Sequence, residues 1–283
     1  TRSCSHIRAH KCRLRRVELP SPVFQIFFVP QTNLVALGLR DQVGMISYKD
    51  FTVRIFPRRF DSDQRQTLIN TYYSLLFSSF SQSFWVLDED RPCIYHRYGG
   101  AEPLDAPWKT IDLSSYIGSG SGLGIGVASP EDDLLAMTTD DGSEGLVYFP
   151  AQDKVLSTGP MRTVGSTNEP MIMPYIDAYS KHVIFADVTG NVALFDLVNG
   201  NGKPERFRVN FSPRFVRTGW LESTWILAGD KGIMFQSFKD PSDRKIVRFV
   251  PEVMNMWVTG DSKTALYSLD EWAPQIFRYD IRT

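Results

Sequence analysis

The stretch "GSGSGLGIGV", Gly118–Val127, sets a glycine at every second position ahead of an apolar run. Glycine-rich turns hold phosphates when their backbone N–H groups converge at the start of a helix. That chemistry needs GxGxxG between a strand and a helix, and here the spacing is GxGxGxGxG with a strand pattern following. A Walker loop would end in Gly-Lys-Ser/Thr and a nucleophile elbow would read GxSxG; neither occurs here. Two readings remain: the innermost strand of a β unit, where missing side chains admit close neighbours, or a loop that touches a ligand.

The other groups that could do chemistry are scattered. The histidines are His6, His10, His96 and His182, and none has metal-ligand spacing to a second donor on one rigid element. The cysteines, Cys4, Cys12 and Cys93, are odd in number and form no CxxC pair, which argues against a disulfide framework and for a reducing compartment. His182 with Asp187 is read as part of a structural Ser, His and Asp network. Sialidase-type Asp boxes are absent. The expectation is no catalytic residue, no metal and no cofactor, hence not an enzyme.

The elements that would position any site are strands. Val23 to Phe56 divides into "VFQIFFVP", "NLVALGLRD", "VGMISYKD" and "FTVRIF", four short β-rich runs separated by turn residues. The unit recurs, with second strands beginning near Leu34, Phe84, Leu134, His182, Thr224 and Thr264. A period of 40 to 50 residues is that of propeller blades, which cannot bury both faces alone. One helix is expected in "DSDQRQTLINTYYSLL". The sixth unit ends one strand short, and "CRLRRVEL", Cys12–Leu19, stands unassigned before the first. The expected fold is therefore all-β, a six-bladed β-propeller whose last blade is completed by an N-terminal strand. Its blades are 23–56, 73–113, 122–158, 170–209, 214–249 and 253–280 plus 12–19, all in one domain, 12–283, behind a basic tail or linker, 1–11.

Within the fourth unit "DVTGNVALFDLVNG", Asp187–Gly200, resembles the hairpin of a WD40-type repeat, in which an Asp- or Gly-bearing turn leads into an apolar strand ending in Asp. "AGDKGIMFQSF" and "DDGSEGLVYF" are looser versions. The Trp-Asp and Gly-His dipeptides of that family are missing, and six units are fewer than its usual seven. The resemblance implies a protein-interaction scaffold, a domain of a larger protein or a subunit of a complex. A glycan- or ligand-binding module is the alternative, and a propeller enzyme a third class.

Interaction surfaces follow from this placement. The turns between second and third strands hold Asp41, Asp88, Glu89, Asp90, Asp140, Asp141, Glu144, Asp187, Asp230, Asp270 and Glu271. On one reading Asp serves only to close the turns. On the other these acids form a docking face for a basic protein partner, with Trp272 as its anchor. The long connections Pro57–Tyr72 and Gly159–Pro170 lie on the same face, so Arg58, Arg59, Arg65, Met161 and Arg162 join Asp88, Glu89, Asp90, Asp270, Glu271 and Trp272 as candidate partner-binding residues.

Charge sharpens the picture. Residues 1–16 carry six Lys or Arg and no acid, leaving the other 267 residues with 25 basic against 32 acidic side chains. Nucleic acid is expected only at that basic start, which also reads as a mitochondrial address or as a linker from a preceding domain. The chain opens on Thr, as a fragment or processed form would. No apolar run approaches the roughly 18–20 residues of a membrane span, so a soluble protein is expected. The expected compartment is intracellular, cytoplasmic or nuclear. Asn210 in "NFS" is a formal glycosylation acceptor followed closely by Pro213, and a secreted protein is disfavoured.

Overall fold

The computed structural model describes residues 16–29, 32–39, 42–57, 75–99, 107–117, 121–161, 174–177, 179–218, 224–230, 232–238, 240, 243–248, 253–258, 264–269 and 276–280. They contain strands and turns and no helix. The expected helix Asp61–Leu76 lies outside them up to residue 74, and Leu75 and Leu76 open a strand.

The strands form six antiparallel sheets in chain order, each a simple meander. Sheet one is β1 (Val23–Phe28), β2 (Leu34–Leu39), β3 (Gln42–Ser47) and β4 (Val53–Pro57). Sheet two is β5 (Leu75–Ser78), β6 (Ser83–Leu87), β7 (Cys93–Tyr98) and β8 (Lys109–Asp112). Sheet three is β9 (Leu123–Ala128), β10 (Leu135–Thr139), β11 (Gly145–Phe149) and β12 (Lys154–Ser157). Sheet four is β13 (Tyr175–Ile176), β14 (His182–Ala186), β15 (Asn191–Asp196) and β16 (Glu205–Arg208). Sheet five is β17 (Ser212–Thr218), β18 (Thr224–Asp230), β19 (Gly232–Ser237) and β20 (Arg244–Arg248). The last, described by its backbone, is β21 (Val253–Val258), β22 (Thr264–Leu269) and β23 (Ile276–Asp280).

Burial explains the pattern along each meander. The two middle strands, such as β10 and β11, are buried along nearly their whole length because both their faces are covered, whereas outer strands such as β8 and β16 are mostly exposed. Cores lie between successive sheets. Phe77 and Phe84 of sheet two pack with Ala36, Val43 and Phe56 of sheet one; Trp85, Leu87 and Ile94 pack with Leu123, Leu135 and Met137 of sheet three. Val147 and Leu134 meet Val183 and Phe185, and Leu194 and Val192 meet Trp225 and Met234. First strands are neighbours: β9 lies against β5 and β13, and β21 against β17.

Sheet one is apolar on both faces. Phe27 of β1 turns to sheet two, 6.0 Å from the Phe77 ring, but Phe24, Ile26 and Phe28 alternate to the other side and are 45%, 58% and 78% exposed. Of the expected closing strand, residues 12–15 lie outside the described residues, and Arg16–Leu19 carry no strand pairing. Among the described residues the last sheet has three strands.

Candidate functional site

The glycine motif resolves into a joint between sheets. β9 is the first strand of sheet three, and Gly122, just before it, touches the turn that joins β6 to β7: a Cβ there would sit 1.7 Å from the Glu89 carbonyl oxygen. At Gly126 it would meet Leu87 and Leu76 of sheet two at 2.9 and 3.0 Å. The alternating glycines thus remove side chains where one sheet's first strand presses on the next. Gly118 and Gly120 lie outside the described residues.

Backbone bonds continue this joint along one face. Leu123 N–H donates to the Asp88 carbonyl at 2.7 Å, and Asp140 N–H donates to the Gly122 carbonyl at 3.1 Å. Met161 N–H donates to the Ser143 carbonyl at 2.9 Å, and the Met161 carbonyl accepts from Asn191 Nδ2 at 3.1 Å. The turns of sheets two, three and four therefore stand side by side: Asp88–Asp90, then Asp140–Ser143, then Asp187–Asn191.

Not all their acids face outward. Asp88 is only 5% exposed; its Oδ2 accepts from the Tyr95 hydroxyl at 2.8 Å and its Oδ1 from Asp90 N–H at 3.0 Å. Burial, with the bond to Asp88 second, raises the Tyr95 phenol, which keeps its proton as a donor. Asp187 is 1% exposed and closes its turn by accepting from Thr189 N–H, Thr189 Oγ1, Asn191 N–H and Asn191 Nδ2. For these two, turn chemistry is the role observed. Glu89, Asp90, Asp140 and Asp141 are exposed on the same face. Partial burial, followed by the charges of Asp90 and Asp88, raises the Glu89 carboxyl above its ordinary range.

Two candidate partner-binding residues thus need correction. Asp88 faces inward to Tyr95, and Met161, 7% exposed, is a core residue packed with Val147, Phe185 and Phe195, because an apolar side chain at the start of a connection is drawn between the sheets it joins. Glu89 and Asp90 remain on the surface. Arg58, Arg59, Arg65, Arg162, Asp270, Glu271 and Trp272 lie outside the described residues, as does Asp41.

His182 does not join Asp187. Its Nδ1 meets Asp177 Oδ2 at 2.6 Å, and its ring stacks on Phe238 of sheet five at 3.9 Å. Asp177 is fully buried and also accepts from Lys181 N–H, so the pair ties the β13–β14 turn to the next sheet. Ser180 in that turn bonds to Ser129 of sheet three. The arrangement is structural. Among the described residues no group of three or more His, Cys, Asp or Glu could hold a metal ion, and no helix is long and apolar enough to cross a membrane.

Sequence patterns left one feature unseen, a cleft of about 550 Å³ between sheets four and five. Its residues come from the β14–β15 turn, the β16–β17 link and β20. The sequence trace is the pair of outer strands "ERFR" and "RKIVR", in which basic residues flank apolar ones.

No protein-family model matches the chain, and no curated protein matches it in sequence. Solved structures do match in fold. The β-propeller domain of Cps50 (Swd1) from Myceliophteria thermophila is 8% identical with a TM-score of 0.59, covering 95% of this chain and 85% of that one. A chain of a mitotic checkpoint complex is 12% identical with a TM-score of 0.56, covering 97% and 85%. The dihydro-heme d1 dehydrogenase NirN, in complex with DHE, is 13% identical with a TM-score of 0.62, covering 91% of this chain and 54% of that one. A chain of a checkpoint complex and a dehydrogenase share this architecture, so the likeness speaks to fold. By fold the chain is a β-propeller.

Proposed function

We propose that the chain is a non-enzymatic protein-interaction scaffold, a domain of a larger protein or a subunit of a complex, that binds partners through the face carrying the stitched turns. The observation that carries this reading is the row of exposed acids Glu89, Asp90 and Asp140, with Asp141, whose Oδ1 also closes its turn, on two turns whose backbones are both bonded to Gly122–Leu123. A rigid acidic row speeds encounter with a basic partner surface and sets its register. The proposal also takes in Arg58, Arg59, Arg65, Arg162, Asp270, Glu271 and Trp272, which lie outside the described residues. Affinity purification of the intact chain tests it. A version with Glu89, Asp90 and Asp140 changed to Lys, and a second with the four arginines changed to Glu, should each lose partners that the parent recovers. Unchanged recovery in both would move the binding surface elsewhere.

The same reading includes a closed ring of six blades. Sheet one needs cover over Phe24, Ile26 and Phe28, and the sheet that follows sheet five is one strand short among the described residues. In this reading the last sheet supplies that cover and takes its fourth strand from the start of the run Cys12–Leu19, whose residues Arg16–Leu19 carry no strand pairing in the structure, so that both ends of the chain are joined. Deleting residues 1–19 is expected to lower the melting temperature by about 10 °C, for a loss of a few kcal/mol, and to bring on aggregation through the bared face. An unchanged melt would leave the ring without this latch.

A further inference from the structure

We infer that the cleft between sheets four and five captures an acidic peptide segment of a partner by an apolar anchor residue. This rests on the reading above and deepens it: the cleft begins at Val188 and Thr189 of the last stitched turn, beyond the carboxylate row, and carries the opposite charge. Its floor is apolar: Val209 and Phe211 are 3% and 8% exposed. One wall is Ile246 of β20, which leaves 40% of its surface uncovered. Across from it stand Asn210, Thr189 and Arg208, whose Nη2 lies 3.5 Å from the Thr189 carbonyl. The cleft therefore offers a branched aliphatic contact beside amide, hydroxyl and guanidinium groups, the mixture that takes one apolar side chain and holds the flanking backbone.

Charge selects the occupant. Among the described residues the lining holds one guanidinium and no carboxylate. The nearby acids are engaged: Glu205 Oε1 lies 3.7 Å from Arg244 Nη2, Asp230 pairs with Arg214 at 3.5 Å, and Asp187 is consumed by its turn. Residues 200–249 carry ten Lys or Arg against five Asp or Glu, whereas residues 101–150 carry nine acids and one Lys. Arg206, Arg208, Arg214, Arg217 and Lys245 are all exposed on sheets four and five. A basic partner would be repelled here, and a neutral one would leave the guanidinium without its best acceptor. Arg244, two residues before Ile246 on β20, adds a further positive charge to sheet five, its guanidinium 3.8 Å above the Phe207 ring and its Nε bonded to Gln236 at 2.9 Å.

Selection from a random peptide library displayed on phage, against the immobilised intact chain, tests the inference. Enriched peptides should carry Asp or Glu on both sides of a Leu, Ile, Met or Phe. A fluorescein-labelled copy of the best should weaken about tenfold or more in Kd with Arg208→Glu, and by a smaller factor with Arg208→Gln. Ile246→Ser should also weaken it, and raising salt from about 50 to about 300 mM should weaken binding to the parent. The Glu89, Asp90 and Asp140 to Lys version should bind the peptide as the parent does, which separates this site from the carboxylate row. No enrichment, enriched peptides without carboxylates, or affinity untouched by Arg208→Glu with the melt preserved would each overturn the inference. Concentration-dependent oligomers dispersed by Arg208→Glu would also overturn it, by giving the cleft to a second copy.

Discussion

Replacing Gly122 with valine should lower the melting temperature by about 10 °C, corresponding to ~3 kcal/mol or more. The reason is placement of backbone against backbone. A Cβ at this position meets the Glu89 carbonyl oxygen at 1.7 Å, its carbon at 2.2 Å and the Asp90 nitrogen at 2.9 Å, so no side-chain rotation relieves the clash. Sheet three must withdraw from sheet two. Withdrawal also breaks the bond from Leu123 N–H to the Asp88 carbonyl and loosens the packing of Leu123 on Trp85 and Leu87. Gly126→Ala meets only the ends of Leu87 and Leu76 and the Ala136 carbonyl at 2.9 to 3.2 Å, and should cost less. Thermal melts of the two variants beside the parent decide the matter, and equal melts for Gly122→Val and the parent would show that the joint yields freely.

Acid should destabilise the protein through His96. Its ring is 6% exposed and stacked on Trp85 at 3.9 Å, with Tyr98 edge-on at 4.5 Å. Burial first, and the Lys109 charge second, push the imidazole from 6.5 down to about 4. Above pH 6.5 the ring is neutral in the folded and the unfolded chain alike, and stability is at its full value. As pH falls from 6.5 toward 4 the unfolded chain takes up a proton that the folded one refuses, so stability drops, by up to ~3 kcal/mol. Below about 4 the folded ring also protonates and this loss levels off. Carboxylates add their own slope, so the measure is the difference between the parent and His96→Gln in melting temperature from pH 7 to pH 4.5. The parent should fall about 5–10 °C further than the variant. Parallel slopes would remove His96 as the cause.

Much of the frame was legible in the residues because the middle strands are so thoroughly apolar. Second strands were expected near Leu34, Phe84, Leu134, His182, Thr224 and Thr264, and they begin at Leu34, Ser83, Leu135, His182, Thr224 and Thr264. A strand buried on both faces has no polar alternation to confuse its limits. Direction was harder to read. Asp88 and Asp90 are alike in type and two apart in sequence, yet the first bonds inward to Tyr95 and the second faces water. What separates them is a tyrosine one strand away, which composition does not flag. Met161 was placed on a surface loop by the length of its connection, when its first residues are pinned between Ser143 and Asn191. The sequence does not mark the cleft because its lining comes from a turn, a link and single residues of two outer strands, which are brought together only by the packing of sheet four on sheet five.

The seams on the turn-bearing face have a consequence for variation. Three of the four hydrogen bonds that link the turns of sheets two, three and four join peptide groups on both sides, and the fourth takes only the Asn191 amide. Peptide groups are the same whatever residue carries them. Turn tips such as Glu89, Asp90 and Asp140 are thus open to exchange for other chemistries while the architecture persists, and lineages could acquire new recognition surfaces without inventing new seams. That freedom accords with a shared shape at 8 to 13% identity.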